Sequence, residues 1–492
     1  MKATITAITI IVAALLLTSC GSNDNNGGYV SEDLVENDIP PPPLSTPPPP
    51  TVSETYEVDT PTPAPPPATR YIPTHGVLHQ PVDLGGRTIR LATFFEDTLF
   101  GFGDEPDPAT AANYTAQRMM WDNAQRVQHS FNVEFELVYI QMEFDHEVVL
   151  NELRTSVAAG APVGDVAHLV GFNKIHAISE DILIPLDSID LPGSDILGYQ
   201  LFAETVAELF GERWSFSRRA PDLNAVMLGV NLDIINSIGA PNPVELYNHG
   251  EWNWQNFLDI MRLATASDPV LFGICTRAGI MGSEISRMLI VANDGRMVSD
   301  DFEWDLLHPN TLEALEFAEL LFNEGLVSRA WNNGHARANA PFFAATANSI
   351  AFANIPYEHA LLPMPTGPSN TSGTVSAGGW EFGYVLPQGS AWDSAELLMI
   401  MEELFAWPGD IVLLEDFQFG WFSEYFPADD LERALAAGRN SVFCVSLAID
   451  GLFFSFSDYF EVELQRGNMT LLEIIEHFRA PYQAILDEFF LP

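Results

Sequence analysis

From Arg87 to Gly171 the spacing of apolar residues switches between two and about 3.6, and that switching leaves few architectures open. In "RTIRLATFF" Ile89, Leu91 and Thr93 fall on one side and Arg90 and Ala92 on the other, after a Gly85-Gly86 turn. This is a strand. From Ala111 to Phe131, Tyr114, Trp121, Ala124, Val127 and Phe131 recur at helical spacing. "VEFELVYIQ" alternates again, Val133, Phe135, Leu137 and Tyr139 against Glu134 and Glu136. Asp145 to Ala159 is helical, with Val149, Leu153 and Val157 on one stripe and Gly160 ending it; "GDVAHLVG" is a short apolar strand. The order β-α-β-α-β predicts an α/β fold, a parallel sheet with helices on its faces. Ligands of such sheets sit beyond the carboxyl ends of the strands. Two loops occupy that place, Phe94-Phe95-Glu96-Asp97 and Gly171-Phe172-Asn173-Lys174.

Farther along, "GEWNWQNFLDIM" reads as a helix start. Asn253 is the expected N-cap, with Trp252 before it and Phe257 at the fourth helical position, the spacing of a hydrophobic staple. Trp252 and Trp254 are therefore expected in the core. "HPNTLEALEFAELLFNEG" carries Leu315, Ala318 and Phe322 on one face and stops at Gly325, an expected C′ residue. "NDGRMVSDD" lacks the alternating ligands and terminal Glu of a calcium loop and reads as a turn.

The N-terminal part has another character. Met1-Lys2 is a short basic start, and Ile5 to Leu17 is nearly all apolar yet shorter than the ~20 residues of a membrane span. Leu17-Thr18-Ser19-Cys20 resembles a bacterial lipobox, which implies that residues 1–20 are a lipoprotein signal peptide and that Cys20 receives a diacylglyceryl (palmitate-type) anchor. An ordinary secretory signal is the other reading. Residues 21–85, with "PPPLSTPPPP" and "PTPAPPPAT", cannot build helix or sheet, because proline fixes φ and lacks an N–H. They are expected to be a disordered, extended linker reaching on the order of 100 Å at about 3 Å per residue. About 410 residues follow, enough for two domains.

The chain has 67 acidic and 21 basic residues, a formal net charge of -46. Such a surface repels nucleic acid and anionic lipid, so no nucleic-acid partner is expected. Lys174 is the only lysine after Lys2. Export permits a disulfide between Cys275 and Cys444, and two buried thiols fit equally.

Several blocks carry a family resemblance. "LNELRTSVAAGAPVGDVAHLVGF…DILIPLD", "AVMLGVNLDIINSIGAPNPVELYNHGEWNWQNFLDIMRLAT", "NDGRMVSDDFEWDLLHPNTLEALEFAELLFNEGLV", "LLPMPTGPSN" and "GGWEFGYVLPQGSAWDSAELLMIMEEL" together resemble bacterial extracellular solute-binding proteins of family 1, which serve sugar ABC importers. The chain departs from the family pattern at Gly164-Asp165 (usually Pro-Asp), Val230-Asn231 (Tyr-Asn) and Asn253-Trp254 (Thr-Trp). The blocks span most of Arg87 to Leu404, and their order and spacing carry the likeness. The resemblance implies a two-lobed periplasmic-binding-protein-like (type II) fold with a hinge. Lobe 1 would be 86–220 and 356–406, lobe 2 would be 221–355 and 407–492, and the crossings would lie near Arg218–Asn231 and Ile350–Pro356. It also implies a monomer held on the extracellular face of the cell membrane, delivering its solute to the transmembrane subunits of an ABC permease, with no cofactor and no bond made or broken.

Aromatic faces and polar or charged side chains hold sugars. The candidates are Phe95 and Glu96 after the first strand, and Phe172, Asn173 and Lys174 after the third. Trp214 and Arg218 lie near the first crossing, and Trp380 and Glu381 at a strand start. Each aromatic reads equally as core. Two other function classes stay open. A surface glycosidase needs two carboxylates across a cleft, and a bilobed sensor or binding domain would take a non-sugar solute. The sequence holds no Gly-x-Ser-x-Gly, no His-Glu-x-x-His and no P-loop, and no metal site is expected. His75 and His79 stand four apart beside the Pro-rich segment, where a helical metal pair is not expected.

Overall fold

The computed structural model describes residues 79–94, 102–108, 114–140, 147–189, 197–198, 212–218, 225–276, 284–299, 301–328, 339–347, 350, 355, 357–373, 376–378, 382–406, 426–442, 452 and 456–490. All of them belong to one unit of the chain, containing Pro73–Pro492; the second unit, Gly21–Ile72, lies outside the described residues. The signal reading, Cys20 included, and the linker reading up to residue 78 also fall outside them; residues 79–85, expected in the linker, are described and packed, with Leu84 buried and its amide bonded to the Phe131 carbonyl, so the linker does not extend to residue 85.

The expected β-α-β-α-β run is present as β1 (Arg87–Thr93), α1 (Tyr114–Phe131), β2 (Val133–Tyr139), α2 (Glu147–Ala158) and β3 (Val166–Val170), followed at once by α3 (Gly171–Ser179). Two short strands come next, β4 (Leu197–Gly198) and β5 (Ser217–Arg218), then β6 (Val226–Asn231), α4 (Leu232–Ile238), α5 (Pro243–Asn248), α6 (Trp254–Ser267), β7 (Ile274–Cys275), α7 (Ile285–Ala292), α8 (Pro309–Asn323), β8 (Val327–Ser328), β9 (Phe342–Thr346) and β10 (His359–Leu362). The chain ends with β11 (Ser376–Ala377), β12 (Phe382–Val385), α9 (Ser394–Phe405), α10 (Ala428–Arg439), β13 (Ser441–Val442), α11 (Glu461–Arg466) and α12 (Leu471–Phe490).

Two larger sheets organise these elements, one of order β12-β3-β1-β2 and one of order β10-β6-β9-β7-β8. In the first, β1 runs parallel to β2 and β3, as the sequence pattern requires, and β12 adds antiparallel to β3. β3 is buried along its whole length, which fits its unbroken apolar sequence. Ile89, Leu91, Ala124, Val127 and Phe131 pack with Leu397, Leu398 and Met401 of α9 on one side of this sheet. Ala92, Ala167 and Leu169 face Ile175 and Ile178 of α3 in the other cluster.

Local signals in the second half behave as expected. The Asn253 side chain accepts from the Asn256 amide, and Trp252 meets Phe257 edge to face at 5.7 Å. Trp252 and Trp254 are buried. Gly325, at φ 68°, closes α8. Asp294 turns the chain at φ 54°, and its carboxylate accepts from the amides of Thr371 (2.6 Å) and Ser372 (2.8 Å), so "NDGRMVSDD" is a turn that pins another loop. Cys275 is buried, and Cys444 lies outside the described residues.

The return crossing lies elsewhere than expected. β10 pairs antiparallel with β6 in the second sheet, and the chain rejoins the first sheet only at β12. The crossing therefore falls between Leu362 and Phe382, not at Ile350–Pro356. The short run His359–Leu362 carries no signal for one sheet over the other and pairs with the edge that β6 offers. α12 also departs from a simple assignment to the second half. Phe490 stacks on Phe302 at 4.3 Å, beside α8, while Phe489 meets His176 of α3 edge to face at 4.8 Å. The last turn of the C-terminal helix thus touches both halves.

Candidate functional site

Register places the carboxyl edge of the first sheet. β1 ends at Thr93-Phe94, and β3 ends at Val170, where α3 begins without an intervening loop. Because β12 is antiparallel to β3 with Phe382 opposite Val170, the start of β12 reaches the same edge. Phe216 exchanges both backbone hydrogen bonds with Tyr384, at 2.9 and 2.8 Å. Continuing that antiparallel register puts Arg218 level with Phe382. Four segments distant in sequence therefore meet at one sheet edge.

The candidates distribute over this edge unevenly. Asn173 and Lys174 are in the first turn of α3 and are both buried. Phe172 is in that turn too, and Arg218 is in β5. Phe95, Glu96, Trp380 and Glu381 lie outside the described residues. Trp214 is different. It sits two register positions down from the Phe216–Tyr384 pair and is buried in the core cluster of α3 and Leu183, away from the edge.

Lys174 is the most informative position. Its ammonium lies inside the lobe, 3.1 Å from where a Cβ on Gly383 would stand, with the Ser215 hydroxyl 3.2 Å from the same point. Gly383 leaves room for the charged head. Lys174 thus underlies the edge and does not project from it.

A buried polar row that sequence reasoning passed over lies across β1, β3 and β12. His168 stacks between Phe94 (5.3 Å, 1°) and Tyr384 (4.5 Å, 11°), and its Nδ1 is 3.4 Å from the Thr93 hydroxyl. Burial, and secondarily the Lys174 charge, push the imidazole down to about 3, so it is neutral at physiological pH. The one signal in the sequence was a lone polar residue within the apolar "VAHLV".

In the second sheet, Thr276 and Ser328 follow or end the parallel strands β7 and β8, and Val226 pairs with Thr346 at the same end. Arg218 and Ala225 are seven residues apart, so the two edges approach within about 25 Å. Among the described residues no group of His, Cys, Asp and Glu has the arrangement of a metal site. Among them, too, no helix is long and apolar enough to cross a membrane.

No protein-family model matches the chain, and no curated protein matches it by sequence. Solved structures do match. A cyclic alpha-maltosyl-1,6-maltose binding protein from Arthrobacter globiformis superposes with a TM-score of 0.58 at 12% identity, covering 82% of this chain and 100% of that one. An ABC substrate-binding protein from Listeria monocytogenes in complex with cycloalternan gives 0.52 at 12% identity, over 82% and 98% of the two chains. UgpB from Mycobacterium tuberculosis in complex with glycerophosphocholine gives 0.51 at 16% identity, over 81% and 98%. With its two sheets, this chain has the two-lobed α/β, periplasmic-binding-protein-like (type II) fold that these structures share.

Proposed function

We propose that this chain is the extracellular, lipid-anchored solute-binding component of an ABC importer, capturing a sugar or oligosaccharide by lobe closure and handing it to a permease. The observation that carries the reading is the convergence of Thr93-Phe94, Gly171–Lys174, Arg218 and Phe382 on one sheet edge, in a fold shared with sugar-binding proteins. This reading assigns Phe95, Glu96, Trp380 and Glu381 to the ligand as well, and the anchor to Cys20. The protein acts as a monomer and leaves the bond structure of its ligand unchanged.

Lobe 1 in this reading is 86–220 with 382–406, and lobe 2 is 225–378 with 426–490. Closure turns on the segments that join the two lobes. The test is a titration of intrinsic fluorescence, from the chain's ten tryptophans, against a panel of glycans. Saturable change with at least one glycan is expected, weakened in Trp380→Ala and Phe172→Ala. Parent-like affinity in both variants would remove the site assignment.

A second reading, a non-sugar solute, is favoured by one specific likeness, the UgpB complex with glycerophosphocholine. A glycerophosphodiester in the same titration separates the two.

A further inference from the structure

Phe489 and Phe490 end α12 pointing different ways, because successive helical side chains are about 100° apart. Phe490 stacks on Phe302 of the second half at 4.3 Å, and Phe489 meets His176 of α3 edge to face at 4.8 Å. Behind them α12 is fastened to the turn Phe302–Trp304. The Gln483 Oε1 accepts from the Trp304 amide at 2.8 Å, its Nε2 donates to the Phe302 carbonyl at 3.3 Å, and Tyr482 meets Trp304 edge to face at 4.6 Å. These fasteners all lie beyond Pro481, which removes a backbone hydrogen bond from the middle of the helix. Phe302 stands at φ 60°, a left-handed conformation that a bulky residue keeps only where its surroundings hold it. The far end of α12 is thus fixed to the second half while its Phe489 bears on a helix of the first. Packing agrees. One continuous apolar cluster holds Ile175 and Ile178 of α3 together with Tyr482, Leu486 and Phe490 of α12, and Ile485 and Phe489 pack against it.

A chain connection between two lobes limits how far its ends can part and sets no angle. An angle needs packed side chains that resist sliding. His176 is two residues after Lys174, in the helix whose first turn is Gly171–Lys174. We propose that the Phe489–His176 contact is a bearing between the lobes, which fixes the angle between them and with it the place of the Gly171–Lys174 turn. The inference rests on the lobe-closure reading above and adds the residue that sets the lobe angle. Phe489 acts through α3 and is a positioning residue. An edge-to-face pair holds out to about 7 Å between centroids, so from 4.8 Å the rings part after about 2 Å of sliding. A larger change of lobe angle has to break the contact. Without the ring of Phe489, the lobes rest over a range of angles.

The test is the distance between spin labels on Glu152→Cys of α2 and Ala266→Cys of α6, two exposed helix positions in different lobes, in the full chain carrying Cys20→Ala and Cys444→Ala. Pulsed double electron–electron resonance reads the distance distribution with no glycan added. The labelled parent is expected to give one narrow distance. Phe489→Ala is expected to widen the distribution about twofold or more, and Phe489→Tyr, which keeps the ring, to hold the parent width. Far-ultraviolet circular dichroism shows that each variant is folded. Equal widths in the parent and Phe489→Ala, or equal widening in Phe489→Tyr, overturn the proposal. Because no glycan is present, a failed glycan titration would remove the sugar reading and leave a widened Phe489→Ala as support for the bearing. Equal widths beside a saturable titration would remove the bearing alone.

Discussion

Gly229→Ala tests the register on which the second sheet is built. Gly229 lies in β6 opposite Phe343 of β9. A Cβ at 229 would stand 2.0, 2.3 and 2.5 Å from three atoms of the Phe343 ring. Ordinary carbon contacts are about 3.5–4.0 Å, so the overlap is about 1.5 Å. Phe343 is 1% exposed and meets Tyr357 edge to face at 6.5 Å, which leaves the ring little room to swing away. The cost is expected to be about 3 kcal/mol, the upper end for overpacking. Phe343→Ala alone leaves a cavity and costs about 3–5 kcal/mol. In the double variant the new methyl enters space the ring vacated. The loss should then fall short of the sum of the two single losses by about 2 kcal/mol. Guanidinium unfolding followed by near-ultraviolet circular dichroism measures all three. A neutral Gly229→Ala, or additivity within about 0.5 kcal/mol, would refute the pairing.

Other outcomes follow from single contacts. Asn253→Ala removes the cap of α6 and should cost about 1 kcal/mol, read as a lower denaturation midpoint with unchanged slope. Arg126→Met strands the buried Glu403 carboxylate and should cost about 3–5 kcal/mol in the same assay. Because burial holds His168 far below its unfolded value of 6.5, the unfolded chain binds the proton first on acidification. The stability this residue contributes is full above about pH 6.5 and is lost as pH falls toward 3, by about 1.4 kcal/mol per unit. His168→Gln should flatten that part of the pH–stability curve, measured by thermal unfolding across the range.

The local elements were legible because their signals are local. The period-two runs at Ile89–Thr93 and Val133–Tyr139 need only their own residues to be read as strands, and the Trp252–Asn253–Phe257 staple lies within six residues. Long-range pairing was not. Nothing in "EFGYV" says that it inserts antiparallel beside a strand more than two hundred residues earlier, and nothing in "HALL" says which sheet it joins. At the candidate edge, a general rule of parallel sheets pointed to loops after β1 and β3, but Gly171–Lys174 is the first turn of α3; register sets Phe382 opposite Val170 and Thr93 level with His168, two positions short of that end. The depth of Lys174 was missed for a physical reason. Its charge suggested exposure, but it is one residue from Ile175 and four from Ile178, on the stripe of α3 that faces the core. Trp214 was drawn toward the site by its place near a crossing, although strand register carries it away from the edge.

The central claim is that two sheet edges grip an unaltered solute between them. A crystal structure of the chain with whichever glycan gives saturable fluorescence change tests it directly. Intact ligand between Gly171–Lys174 and Phe382 on one side and the Thr276–Ser328–Thr346 end of the second sheet on the other is the predicted result. Ligand bound outside that gap, or density for a cleaved glycan within it, would contradict the account.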